Sequence, residues 1–239
     1  MVSEKNMNGI VSSLRRYGFI RFFSFAVSEL YARVWRYRVL HSFSQNGEDL
    51  TLDKLLGYKK HGTYVDIGAY DPYRFSNTMR FYLRGWRGIN IEPDAVRFKH
   101  FVSKRPRDIN LNVGIANKKG SLTYFAMDPP TLSTFVRSQA REYVKNGFLI
   151  REEKKILVLP LSLVLGKYPT MRHIDFLSMD VEGFEMEVLK SNNWKRFRPK
   201  FLCIETAVDG KQEIDRFLRG VDYTMVLDNG LNSFYKDIV

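Results

Sequence analysis

Three short segments set acids beside turn-forming residues at strand ends, where a sheet meets its ligand. Tyr64-Val65-Asp66-Ile67-Gly68-Ala69-Tyr70-Asp71 is a short apolar run, then an acid, then a glycine with a small neighbour. A parallel strand delivers its C-terminal end to a nucleoside ligand in this way. The glycine permits a tight turn and a close backbone approach to the ligand, and the Asp66 carboxylate can reach a cation or a hydroxyl lying over the strand end. Gly88-Ile89-Asn90-Ile91-Glu92-Pro93 is a second apolar strand ending in an acid. At this place in a doubly wound sheet Glu92 is expected to bond ribose hydroxyls, and Pro93, which has no N–H, stops the strand. The third segment, Ile174-Asp175-Phe176-Leu177-Ser178-Met179-Asp180-Val181-Glu182-Gly183-Phe184-Glu185, brings Asp180 and Glu182 to the same edge, beside Asp66. That edge is the topological switch point, where ligands bind. Acids at a helix N-terminus are also stabilised by the helix dipole. For Glu185 that structural role is the expectation; Asp180 is expected in the site.

The first segment has one glycine, not the three of Gly-x-Gly-x-x-Gly, so it serves a dinucleotide pyrophosphate poorly. A nucleoside without phosphates, such as S-adenosylmethionine, fits better. The elements that must position these acids alternate. Strand 63–67, helix 75–84, strand 88–92, helix 94–104 and strand 109–114 come first. A strand or hairpin over 120–126 and a charged, irregular or weakly helical connection over 127–155 follow. Strand 156–159, helix 161–165, strand 174–179, helix 184–191, strand 200–205 and helix 211–219 continue the winding. Asp228-Asn229-Gly230 between 222–227 and 232–236 is a hairpin signal. Ser44 is expected to cap a helix carrying Glu48 in its first turn, with Leu50, Leu52, Leu55 and Leu56 packing inward. The fold class is therefore α/β and Rossmann-like: a mostly parallel sheet ending in an antiparallel hairpin, the layout of a class I methyltransferase.

The chain has 239 residues, 44% of them hydrophobic, a net charge of +12 and a pI of about 9.7. That balance points to an anionic partner. The charge is uneven: Lys5, Arg15, Arg16, Arg21, Arg33, Arg36 and Arg38 stand against Glu4 and Glu29 in residues 1–43. These residues read as a basic amphipathic helical extension, and 44–239 as the methyltransferase domain. A basic, aromatic-rich helix of this kind lies in an anionic membrane interface, or packs on its own domain or on a second chain in an oligomer; it is too apolar for a nucleic-acid arm. The stretch 20–35 is interrupted by Arg21, Glu29 and Arg33, so no bilayer span is expected. With no signal peptide evident and Cys203 alone excluding a disulfide framework within the chain, the expected location is the cytoplasm, or the cytoplasmic face of a membrane.

The chain resembles the FkbM family of S-adenosylmethionine-dependent methyltransferases. The resemblance is carried by Ser44-Gln45-Asn46-Gly47-Glu48-Asp49, Val65-Asp66-Ile67-Gly68-Ala69 with Ser76-Asn77-Thr78, Ile91-Glu92-Pro93, Met179 to Glu185, and Ile204-Glu205. It departs from many relatives at Pro72, where they have a second glycine, so that loop should be stiffer. The resemblance implies cofactor contacts from Gln45, Glu48, Asp66, Ile67, Gly68, Ala69, Tyr70, Ser76, Asn77, Glu92, Pro93, Gly114 and Asp180. It also implies O-methylation of a sugar hydroxyl in a glycan, glycolipid or glycosylated natural product. A sugar hydroxyl needs its proton removed. Asp180 is the first candidate for that base, with Glu182, Glu205 and His173 behind it. A divalent metal such as Mg held by Asp180 and Glu205 is the alternative. Two other functions compete. One is a nucleic-acid methyltransferase, for which Asp128-Pro129-Pro130-Thr131 lacks the stacking aromatic. The other is a non-catalytic, membrane-associated interaction protein on a methyltransferase fold.

Overall fold

A computed structural model describes residues 42–171, 173–206 and 210–239. The helical extension expected over 1–43 falls, except for its last two residues, outside that part. Phe43–Val239 forms one compact unit.

The period-2 runs at the three acid-bearing segments become strands β1 (Thr63–Ile67), β2 (Arg87–Ile91) and β7 (Phe176–Met179). With β3 (Ile109–Leu111), β8 (Phe201–Glu205), β9 (Tyr223–Asp228) and β10 (Asn232–Asp237) they make a seven-stranded sheet of order β3-β2-β1-β7-β8-β10-β9. β1 pairs in parallel with both β2 and β7, and β10 runs antiparallel to β8 and β9. The order reverses between β1 and β7, so the ends of β1, β2 and β7 share one edge. The expected Rossmann-like class I methyltransferase architecture is borne out.

Alternation along β1 divides the core. Val65 and Ile67 pack with Ile89, Ile91, Leu177 and Met179 on one face. Tyr64 joins an aromatic cluster on the other, where Phe81 lies 4.6 Å from Phe176 and 5.0 Å from Trp86, ring centre to ring centre. Fully buried rings of this size contribute about 1.5–3 kcal/mol each. The helices covering these faces are α1 (Glu48–Leu55), α2 (Met79–Leu83), α3 (Ala95–Lys104), α5 (Leu161–Gly166), α6 (Glu185–Lys190) and α7 (Lys211–Arg219). Among the described residues no helix is long and apolar enough to cross a membrane.

Three local expectations change. Ser44 does not take the N-cap position of α1, which Gly47 occupies in the left-handed region, but its hydroxyl accepts the Asp49 N–H at 3.3 Å and donates to Asp49 Oδ1 at 2.8 Å, while Asp49 Oδ2 accepts the Phe43 N–H. Leu52 is fully buried, and Leu55 and Leu56 pack partly buried against the same cluster, as expected. The strand expected over 109–114 is broken after Leu111. The Asn112 amide turns back to donate to the carbonyls of Glu92 (2.8 Å) and Pro93 (2.9 Å), which takes the chain out of the main ladder.

The third change is the largest. The connection expected to be irregular is ordered: β5 (Gly120–Asp128), a 3-10 turn (Pro130–Leu132), α4 (Arg137–Lys145) and β6 (Leu149–Leu159). With β4 (Gly114–Ile115) these strands form a second sheet, β4-β6-β5. β6 is largely exposed as far as Leu157 while β5 buries four consecutive residues, Tyr124 to Met127, so neither strand carries a clean alternation of apolar and polar residues.

Candidate active site

A cavity of about 470 Å³ opens at the shared edge of β1, β2 and β7 and is walled by the β4–β6 insertion. Its size is typical of a small-ligand site. Of the residues expected to act on the cofactor, Gln45, Glu48, Asp66, Ile67, Gly68, Ala69, Tyr70, Asn77, Glu92, Pro93, Gly114 and Asp180 line it, as do Glu182 and Glu205. Two do not. Ser76 is buried behind the wall, where its hydroxyl accepts the Met79 N–H at 3.1 Å at the start of α2. His173 is exposed and precedes β7, so the length of that strand separates it from the reacting edge.

Gly68 is required by geometry. Its φ is +76°, and a Cβ there would lie 1.8 Å from the Asp180 carbonyl oxygen. The close approach is thus between the β1 and β7 turns rather than to a ligand alone. It seats Asp180, whose N–H donates to Ile67 O at 3.1 Å. Behind this turn, fully buried Arg105 donates to the Pro72 carbonyl (2.6 Å), Ser76 Oγ (2.9 Å), Thr78 Oγ1 (3.3 Å) and the Tyr64 hydroxyl (3.2 Å). Asp108 lies 3.6 Å away as its counter-ion. Thr78 in turn donates to Asp66 at 2.7 Å. The Pro72 that departs from the family pattern is therefore an anchor point of the 68–78 loop. Asp66 is held as a structural acid whose pKa is pushed up to about 6, chiefly by burial.

Glu92 is oriented for a diol. Oε2 accepts the Tyr70 N–H and Oε1 the Asp94 N–H, each at 2.8 Å, and each oxygen keeps a lone pair free. Burial, only partly offset by those two N–H groups, pushes its pKa up to about 7. Glu48 ties α1 to the C-terminal hairpin instead: Oε1 accepts from Asn232 (3.0 Å) and Asn229 (3.2 Å).

At the end of β7 and β8, the carboxylates of Asp180, Glu182 and Glu205 come within 4.8 Å of one another. Burial first, then the charge of Asp180, raises Glu205 far above the carboxylate range. Burial raises Asp180 as well, but a hydrogen bond from Glu205 opposes that. The shared hydrogen bond thus favours the proton on Glu205 and the charge on Asp180. Glu182, with φ +52°, is raised by burial and by Asp180, and the Tyr143 hydroxyl donates to its Oε2 at 2.6 Å. Glu185 plays the structural part expected of it, accepting the Gly183 N–H at 3.1 Å. The three clustered acids have the donor chemistry to share a proton or to hold a divalent cation.

Sequence reasoning missed Arg97, Phe135, Gln139 and Tyr143, which also line the cavity. Gln139 and Tyr143 are one helical turn apart on α4, a spacing visible in the sequence. Phe135 fills the space above Gly114, where a Cβ would meet its ring at 2.6 Å.

The lining tests the cofactor. Six carboxylates, from Glu48, Asp66, Glu92, Asp180, Glu182 and Glu205, face one guanidinium, Arg97. A sulfonium cation carrying a ribose diol suits that set; a pyrophosphate does not. Comparison with known proteins agrees. The model of the FkbM methyltransferase domain matches residues 66–225. A search of curated proteins finds no match. Similar solved structures include the METTL16 methyltransferase domain, at 13% identity and a TM-score of 0.46, covering 80% of this chain and 66% of that one, just under two thirds of its length. A TehB-like S-adenosylmethionine-dependent methyltransferase from Corynebacterium glutamicum is 12% identical, covers 89% of this chain and 98% of its own, and has a TM-score of 0.43. A toxoflavin-precursor N1-methyltransferase from Burkholderia thailandensis, solved with its methyl acceptor and S-adenosylhomocysteine, is 11% identical, covers 99% and 89%, and has a TM-score of 0.41. With the family model matching two thirds of its residues and the acids of that fold gathered at one sheet edge, the chain belongs to the FkbM family and is an S-adenosylmethionine-dependent methyltransferase.

Proposed function

We propose that the enzyme O-methylates a sugar hydroxyl. One observation carries this reading: the carboxyl groups of Asp180, Glu182 and Glu205 converge within 4.8 Å of one another on the cavity wall next to the β1 turn, where one of them can take up a proton. When bound, S-adenosylmethionine supplies an activated methyl group on sulfur. Glu92 holds its ribose, and the acidic wall favours its positive charge. Asp180 receives the proton of the acceptor hydroxyl as that oxygen takes up the methyl group. Glu205 already carries a proton and stays out of that exchange, keeping Asp180 charged and fixed by its hydrogen bond. Such general-base help is worth about 10²–10⁴-fold. Around it, Gln45, Asn46, Gln139 and Asn232 offer amides to the remaining hydroxyls of a polyol.

A nucleic-acid substrate fits less well, because a polyphosphate would enter among carboxylates; Pro130 and Thr131 line the cavity but belong to the insertion rather than to the β7 end. The test is transfer of labelled methyl from S-adenosylmethionine to glycan and glycolipid fractions by the full chain. Asp180→Asn should cut turnover at least about a hundredfold while S-adenosylhomocysteine affinity, measured by calorimetry, changes less than about twofold. Wild-type turnover in the variant, or label found only in nucleic acid, would sink the proposal. Loss of wild-type turnover with a chelator, restored by Mg, would instead make Asp180, Glu182 and Glu205 metal ligands.

A further inference from the structure

We propose that Tyr143 is a positioning residue of the methyl-transfer site, through which the β4–β6 insertion holds Glu182 beside Asp180. This rests on the O-methyl transfer reading above. The insertion grips the 180–183 turn twice. Thr134 Oγ1 donates to the Glu182 carbonyl at 2.8 Å, and the Tyr143 hydroxyl donates to the Glu182 carboxylate at 2.6 Å. These partners are 48 and 39 residues distant in sequence, so the grip is tertiary. The turn needs one. Glu182 sits at φ +52° and Gly183 at +90°, a backbone that a non-glycine residue adopts only when its surroundings hold it there.

The carboxylate needs holding as well. Three acids crowd within 4.8 Å, and an unheld Glu182 side chain would be free to rotate away from the other two. The phenol donating at 2.6 Å fixes one carboxyl oxygen and leaves the other unbound by it. Gln139, on the same face of α4, also lines the cavity, as does Phe135, whose ring is 5.7 Å from that of Phe184 just beyond the turn. The sheet alone thus supplies Asp180 and Glu205. The third acid acquires its place only when the insertion is seated on the turn.

Tyr143→Phe keeps the ring and removes the donor, so it tests the bond rather than the packing. Two readouts are taken on the full chain. In protein labelled at tyrosine 13Cζ, the resonance absent from Tyr143→Phe should move in Glu182→Gln, because an amide replaces the carboxyl group that accepts the phenol's hydrogen bond. This spectrum needs no acceptor substrate, so it remains decisive even if the sugar reading fails. In the methyl-transfer assay, Tyr143→Phe should lower kcat about two- to tenfold, the worth of one hydrogen bond, with KM for S-adenosylmethionine within about twofold of wild type. A resonance unmoved by Glu182→Gln overturns the proposal. So does unchanged kcat in Tyr143→Phe, or a KM for the cofactor that rises in step with the fall in kcat, which would make the bond a cofactor-pocket closure instead.

Discussion

Glu92 makes cofactor binding depend on pH with a sign that can be worked out. Its pKa is pushed up to about 7 by burial, against an ordinary 4.5. Its two oxygens already accept backbone N–H groups, so only the ionised carboxylate keeps acceptor capacity on both for a ribose diol. Near pH 6 about a tenth of the free protein is ionised there, and near pH 8 about nine tenths. If only that form binds the diol well, affinity for S-adenosylhomocysteine rises about tenfold from pH 6 to pH 8, or about 1.4 kcal/mol. Binding at pH 7 should release about half a proton, measurable by calorimetry in two buffers of different ionisation enthalpy. Stability of the free protein goes the other way. A carboxyl group whose folded pKa is raised leaves the native state binding more protons than the unfolded chain between pH 4.5 and 7. Its contribution is therefore present at low pH and is lost as pH climbs through that window, by about 3 kcal/mol at most. Glu92→Gln should flatten both curves: weaker but pH-independent binding, and thermal stability that falls less between pH 5 and pH 7. Proton uptake on binding, or an unaltered pH dependence in the variant, would refute this account.

Two further substitutions test how the site is held. Gly68→Ala combines a left-handed φ, which costs about 1–2 kcal/mol, with a Cβ 1.8 Å from the Asp180 carbonyl oxygen; a loss of about 3 kcal/mol should lower Tm by about 6–12 °C, and a fall under about 2 °C by circular dichroism would contradict the geometry. Arg105→Met removes five buried hydrogen bonds and strands Asp108, so urea unfolding should show a loss of about 3–5 kcal/mol at unchanged slope; an unchanged midpoint would mean the 68–78 loop is held by something else.

Where the chain's own pattern is local, it is enough to place the site. Val65-Asp66-Ile67-Gly68 and Ile89-Asn90-Ile91-Glu92 each compress a strand, an acid and a stop into a few residues, and the sheet brings them together because parallel strands present their ends on one edge. Where the determinant is tertiary, the pattern misleads. Ser44 reads as the N-cap, but Gly47 takes that position and Ser44 reaches the Asp49 N–H from outside it. Asn112 reads as a strand residue until its amide folds back on Glu92. Tyr143 carries no local sign that it will meet Glu182, because α4 is seated by a small tertiary cluster of Phe125, Met127 and Ala140 that no local pattern announces. His173 is a different error, since strand direction alone sets it at the end of β7 away from the ligand edge: the four residues Phe176–Met179 span about 13 Å at the usual rise per residue.

Charge shows the same split between whole-chain and local readings. A net +12 for the whole chain points to an anionic partner. The lining of the cavity inverts that balance, with six acidic side chains and one arginine. The two facts act at different ranges. Surface charge acts over about a Debye length, roughly 8–10 Å in ordinary salt, and sets what the protein approaches. The cavity acts at contact, where desolvated acids discriminate sharply by charge. On the proposed O-methyltransferase reading, an anionic glycolipid or membrane would be drawn by the protein's positive charge, while an uncharged hydroxyl-bearing part of it and the cationic methyl donor would meet in the space beside Asp180. Raising salt should accordingly weaken recruitment to an anionic surface far more than it weakens cofactor binding, because the groups that hold the cofactor are buried and screened least.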